Sequence, residues 1–214
     1  MRLLPATILA LVLGVTSASA NQVSFDGSWK NQKFSLFSTN RYAQQGDTLG
    51  VSSDGTVSLL YSAVPRSLWS SGTASWRWQV SQSVPATDLT RKGGDDRNLA
   101  LYFVFLPEDQ ARQLRGSSVA RLLNNKDVRV LVYVWGGGHA RGAMLPSPYL
   151  GVRGKTVVLR PSGTGQAGER VELSRDYARA FGGEPTALVG LAISGDSDDT
   201  DSSIRAQLAN LRLN

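Results

Sequence analysis

Ala74-Ser75-Trp76-Arg77-Trp78-Gln79-Val80 alternates between small or apolar side chains and polar ones. A period of two places Ala74, Trp76, Trp78 and Val80 on one face of a strand and Ser75, Arg77 and Gln79 on the other. With Ala74 and Val80 beside them, the two indoles read as a strand's core face. A sugar-stacking platform would need the same spacing with the rings exposed.

Outward from this strand, short strand-like segments recur with turn chemistry between them. Residues 99–106 are nearly all apolar or aromatic, as in a strand buried on both faces. Residues 33–38, 48–51, 57–61, 128–135, 155–160, 170–173, 187–194 and 204–213 complete the predicted strands, and Asp54-Gly55 reads as a hairpin turn. Two segments read as helices. Residues 108–123 carry acids at the start and Arg121 near the end, and residues 174–181 have Ser174 as a cap and stop at Gly182-Gly183. Many short strands without a strand–helix rhythm predict an all-β antiparallel sandwich with one inserted helix and one short one.

Arg2, an apolar stretch over residues 3–15 and Ala18-Ser19-Ala20 form the pattern of a secretory signal peptide. Cleavage is expected near Ala20, leaving one domain over residues 21–214, large enough for its own core. The chain has no cysteine, which rules out disulfides and thiolate metal sites and favours a bacterial periplasm. Its net charge of +6 is carried by dispersed arginines, so a solvated surface is expected and a nucleic-acid partner is not.

The densest charge is Asp196-Ser197-Asp198-Asp199-Thr200-Asp201, after a strand-like run. Carboxylates this close must stay hydrated or share a cation, and oxygen-only donors on a loop suit calcium. The EF-hand pattern is absent, and the alternative is a hydrated turn whose aspartates cap backbone N–H groups. Gly93-Gly94-Asp95-Asp96-Arg97 precedes the most apolar strand and offers a second acidic motif with its own cation. Asp95, Asp196, Asp198 and Asp199 are therefore the candidate calcium ligands. Trp135, Asp96, Arg97, Asp196 and Asp198 are the candidate ligand-binding residues, with Trp135 as a stacking face.

Other motifs are weaker. Gly163-Thr164-Gly165-Gln166-Ala167-Gly168 matches the dinucleotide fingerprint by letter, but a strand rather than a helix follows, so it reads as a hairpin loop. His139, after Gly136-Gly137-Gly138, is the sole histidine and reads as a polar loop residue, although the glycines would let a ligand approach the backbone. Trp29 and Trp69 sit in loop-like contexts as exposed candidates.

Trp76-Arg77-Trp78, Gly94-Asp95-Asp96-Arg97, Tyr133-Val134-Trp135, Asp176-Tyr177 with Phe181-Gly182, and Ser194-Gly195-Asp196-Ser197-Asp198-Asp199-Thr200 occur in that order. In this succession the chain resembles the exported bacterial proteins grouped as domain of unknown function 3047, over roughly residues 34–211. The resemblance implies a jelly-roll-like sandwich, comparable with galactose-binding-like and carbohydrate-binding modules, in the periplasm. It implies no activity.

The leading expectation is a non-enzymatic module binding a glycan or another envelope component. The alternatives are a glycosidase or lyase pairing Asp96 with Asp196 or Asp198, and an assembly protein using a sheet edge or the 108–123 helix. Glycoside hydrolysis needs two carboxyls about 5–10 Å apart. Glutamates are scarce, and Glu108, Glu169, Glu172 and Glu184 fall in expected loops or helix starts.

Overall fold

The structure, a computed structural model, describes residues 21–36, 38–114, 121–122 and 124–214. The expected signal peptide and most of the second half of the expected 108–123 helix lie outside the described residues. The strands are β1 (Asn21–Gln22), β2 (Lys30–Lys33), β3 (Arg41–Gln45), β4 (Thr48–Asp54), β5 (Ser58–Ala63), β6 (Thr73–Gln82), β7 (Arg97–Leu106), β8 (Arg129–Trp135), β9 (Met144–Ser147), β10 (Gly151–Arg160), β11 (Gly165–Glu172), β12 (Ala187–Asp196) and β13 (Ser203–Leu213). Two helices, α1 (Glu108–Gln113) and α2 (Leu173–Phe181), interrupt them.

The strands form the expected two-sheet sandwich. One sheet runs β11-β6-β13-β4-β3, with β1 also on β13; the other runs β2-β5-β12-β7-β8-β10-β9. The pairs are antiparallel except β8 with β10, which are parallel. The outer strands of the larger sheet are both short: β2 carries Lys30 and Lys33, and β9 carries Pro146.

The core lies between the sheets. β6 contributes Trp76 and Trp78, and the odd-numbered residues of β7 and β8 face them: Leu99, Leu101, Phe103 and Phe105, then Leu131, Tyr133 and Trp135. The rings meet edge to face: Trp78 lies 5.6 Å from Trp135 and 5.4 Å from Trp76. Each fully buried side chain of this size contributes about 1.5–3 kcal/mol, and the ring geometry adds to it.

Several sequence expectations shift. The strand expected at residues 33–38 shares only Lys33 with β2 (Lys30–Lys33); Phe34 follows in a bend, 61 % exposed. Asp54-Gly55 is a turn, with Gly55 at φ +56°, but it joins strands of different sheets and is no hairpin. Residues 165–168 belong to β11, paired with β6, so Gly165 and Gly168 are strand residues and Glu169 lies on a strand. Its carboxylate is buried, accepting from Trp78 Nε1 at 3.3 Å and Arg160 Nε at 2.8 Å. α2 begins one residue early with Glu172 at the cap position, so Ser174 caps nothing.

Candidate ligand groove and its acidic end

The even-numbered residues of β7 and β8 point away from the core onto the outer face of the larger sheet. Ala100, Tyr102, Val104 and Leu106 alternate with the core residues of β7, as Val130, Val132 and Val134 do on β8. Across this face runs a groove of about 1280 Å³. Its walls include α1 with Ala111, the 147–150 turn and the loop carrying Trp69; its far end is Asp95, Arg97, Asp196, Asp198 and Asp199.

The two acidic motifs therefore converge. Asp196 stands opposite Arg97 on neighbouring strands. Arg97 Nη1 donates to Asp95 Oδ2 at 2.7 Å and reaches Asp196 Oδ2 at 3.1 Å, and the three side chains are only 11, 3 and 7 % exposed respectively. Arg97 Nη2 donates to the Tyr102 hydroxyl at 3.0 Å, which in turn shares a hydrogen bond with Ser194 Oγ. Tyr149 donates its hydroxyl to Asp95 Oδ1 at 2.8 Å. Burial opposes the guanidinium charge, but Tyr102, Asp196 and Asp95 hold Arg97 protonated above its ordinary range. Burial followed by the Asp95 hydrogen bond pushes the Tyr149 phenol up as well.

Asp196 is the anomaly. Its Oδ1 is buried and accepts no hydrogen bond from the described residues. Burial, opposed by Arg97 but reinforced by Asp198 and Asp96, pushes its carboxyl up to about 9. Burial at this spot thus favours the protonated form of Asp196 well above the usual carboxylate range.

Asp96 has a different role from the one expected. Completely buried, it accepts the backbone N–H of Thr200 at 2.8 Å, the Thr200 hydroxyl, and the Asp199 N–H at 3.3 Å. A carboxylate of one motif thereby caps the turn of the other. Ser197 turns inward, its hydroxyl 2.7 Å from Ser53 Oγ. Replacing Asp96 with asparagine removes charge-assisted bonds and should cost about 2 kcal/mol, read as a lower urea midpoint with earlier proteolysis at residues 196–201. An unchanged midpoint would remove Asp96 as the anchor.

The expected calcium set is also rearranged. Asp95 and Asp196 are taken up by Arg97. The three carboxylates lying within 4.8 Å of one another are those of Asp96, Asp198 and Asp199, with Asp198 and Asp199 exposed. Partial burial and the charges of Asp96 and Asp198 raise the Asp199 carboxyl.

Trp135 cannot serve as a stacking face. It is 4 % exposed and packs inward against Trp78, because position 135 falls on the core row of β8. Trp29 is likewise buried, while Trp69 is partly buried and lines the groove. The glycines after Trp135 admit the chain's own side chains and not a ligand. A Cβ on Gly136 would stand 2.6 Å from Arg97 Cβ, and one on Gly137 2.5 Å from Leu89 Cγ. His139 accepts the Leu89 N–H at 3.2 Å and fixes the same contact.

Sequence reasoning missed Tyr102, Tyr149 and Ser194. One signal was available for Tyr102. It is the one hydroxyl inside the apolar run of residues 99–106, and a buried hydroxyl requires a partner.

With this geometry in place, comparison with known proteins adds the lineage. The family described as "Protein of unknown function (DUF3047)" matches residues 27–212. The chain belongs to the DUF3047 family. No curated protein matches it. Among solved structures, this DUF3047 chain is similar to the xyloglucanase domain of NopAA, a type three effector from Sinorhizobium fredii, in complex with cellobiose. That match has 9 % identity and a TM-score of 0.45, covering 87 % of this chain and 92 % of the other. It is also similar to a loop-swap mutant of Xyn11A from Necallimastix patriciarum, at 10 % identity and a TM-score of 0.40, covering 87 % and 99 %. Both likenesses are loose, and no residue role follows from them.

Proposed function

We propose that this DUF3047 protein is a non-enzymatic binding module of the periplasm whose groove takes a glycan or another hydroxyl-rich envelope component. The observation that carries this reading is the buried, unpartnered Oδ1 of Asp196 at the end of an open groove. An acceptor withdrawn from water needs an O–H or N–H donor. Around it stand Arg97 as donor, Asp198 as acceptor and two hydroxyls, Tyr102 and Ser194, that act as either. Sugar hydroxyls both donate and accept, so they fit such a mixed set. Calcium on Asp198 and Asp199 would add a third kind of contact to the same hydroxyls.

The carboxyls that line the groove, Asp95, Asp196, Asp198 and Asp199, all stand at one end. Glycoside hydrolysis needs an acid and a base on either side of the bond, and the described lining offers no carboxyl on a facing wall. One observation favours the second reading, a polysaccharide-active enzyme: a neutral Asp196 beside Asp198 is a ready proton donor.

A glycan array followed by isothermal titration, with and without millimolar calcium, tests the first reading. Binding is expected, and Asp198→Ala should weaken it about tenfold or more in a protein that still unfolds cooperatively. Silence across the array and in calorimetry would sink it. Release of reducing ends, abolished in Asp196→Asn, would establish the second.

A further inference from the structure

A glycan held at the acidic end leaves most of the groove without a role. Behind that end two rows cross the sheet. Ala192, Tyr102 and Val132 stand in register in one, and Gly190, Val104 and Val130 in the next. Val130 is 1 % and Val132 4 % exposed, yet both border the groove volume. The facing wall, with Ala111, Leu114 and Leu122, is apolar too. Hydroxyls pressed between these surfaces would lose water and find no partner. A hydrocarbon chain would instead gain from burial.

The dimensions fit such a chain. From Tyr102 to Leu106 the strand advances about 13 Å, the reach of a medium-length alkyl chain. The volume of about 1280 Å³ is of the order that small-molecule pockets occupy. Gly190 keeps the second row shallow, since a Cβ there would rest 3.6 Å from Val104 Cβ and fill part of the floor. Lys30, Arg66 and Arg112 also line the groove, but none of them stands in the two valine rows where these cross β12, β7 and β8.

The geometry points to an amphiphile as the ligand, with a saccharide head at Arg97, Asp196 and Asp198 and a single alkyl or acyl chain over the valine rows. The head group rests on the glycan reading above; the chain rests on the floor alone.

The test is calorimetric titration of the protein with glucose, a soluble oligosaccharide, hexyl, octyl and decyl glucosides below their micelle-forming concentrations, and the matching alcohols. The Kd of the glucosides should fall about fourfold for each added methylene, roughly fifteenfold per two-carbon step. Each alcohol should bind more weakly than its glucoside. Glucose or the oligosaccharide binding as tightly as decyl glucoside would overturn the alkyl chain and leave the glycan reading standing. Alcohols that match their glucosides step for step would uphold the chain site and overturn the saccharide head. No binding by any probe overturns both. Leu114→Ser on the wall should shrink the step between chain lengths. Asp198→Ala should weaken all glucosides by one common factor and leave that step unchanged. If both variants act alike, the division into head and chain sites is wrong.

Discussion

Arg97→Met is expected to lower the stability of the protein by about 3–5 kcal/mol. The methionine stem fills much of the space but brings no charge. Asp95 is left with a 3 %-exposed side chain and without the Arg97 charge, while keeping its bond from Tyr149. Asp196 loses the one partner that favours its ionised form. Breaking a buried pair from one side costs far more than the pair's net worth, because the surviving charge stays desolvated. Arg205→Met is the matched control. Its partner Asp54 is 54 % exposed and solvent screens the pair, so that change should stay within about 1 kcal/mol. Urea unfolding of both variants gives the comparison. A loss of similar size in the two would mean that the acidic end of the groove is not organised around Arg97.

Asp196→Asn is expected to leave stability near pH 4 almost unchanged and to raise it clearly at pH 8. In the native state the Asp196 carboxyl is pushed up to about 9. In the unfolded chain an aspartate releases its proton near about 3.9. Between those two values the native state binds the additional proton, so wild-type stability falls as pH rises. The slope is at most about 1.4 kcal/mol per pH unit and flattens above the native value. Asparagine is the neutral counterpart of the protonated acid. Its NH₂ can donate to Asp198 and its carbonyl can accept from Arg97, so the variant does not carry this slope. Thermal midpoints at pH 5 and pH 8 decide the matter. Parallel wild-type and variant curves across that range would show that Asp196 is ionised throughout.

The sandwich was legible because Trp76 and Trp78 alternate with Arg77 and Gln79, so that β6 declares its inner face. That Gly94-Asp95-Asp96-Arg97 and the acidic turn each flank an apolar strand was legible too, but not that they meet: both are net acidic, and only Arg97 offers an attraction between them. What stayed hidden has physical causes. In β7 and β8 both faces are apolar, and composition does not tell a packed face from one that lines a groove. Trp135 therefore looked free when its row, with Leu131 and Tyr133, points inward. β3 is a polar outer strand of sequence Arg-Tyr-Ala-Gln-Gln, and β9 contains a proline; neither carries a hydrophobic period to read. Asp54-Gly55 has the chemistry of a tight turn whether the chain returns along the same sheet or crosses to the other. The identity of Asp96 as an anchor depends on contacts more than a hundred positions away, with Asp199 and Thr200.

The two outer strands of the larger sheet also govern how copies of this molecule behave toward one another. A sheet edge is a row of unmet N–H and C=O groups that another strand can extend. Here β2 spans only four residues and carries Lys30 and Lys33, so two copies meeting there would bring like charges together. β9 is equally short, and Pro146 removes one of the donors an incoming strand would use. A large groove can thus stay open on this sheet without the sheet becoming a template for aggregation. The same guarding weighs against assembly through these edges.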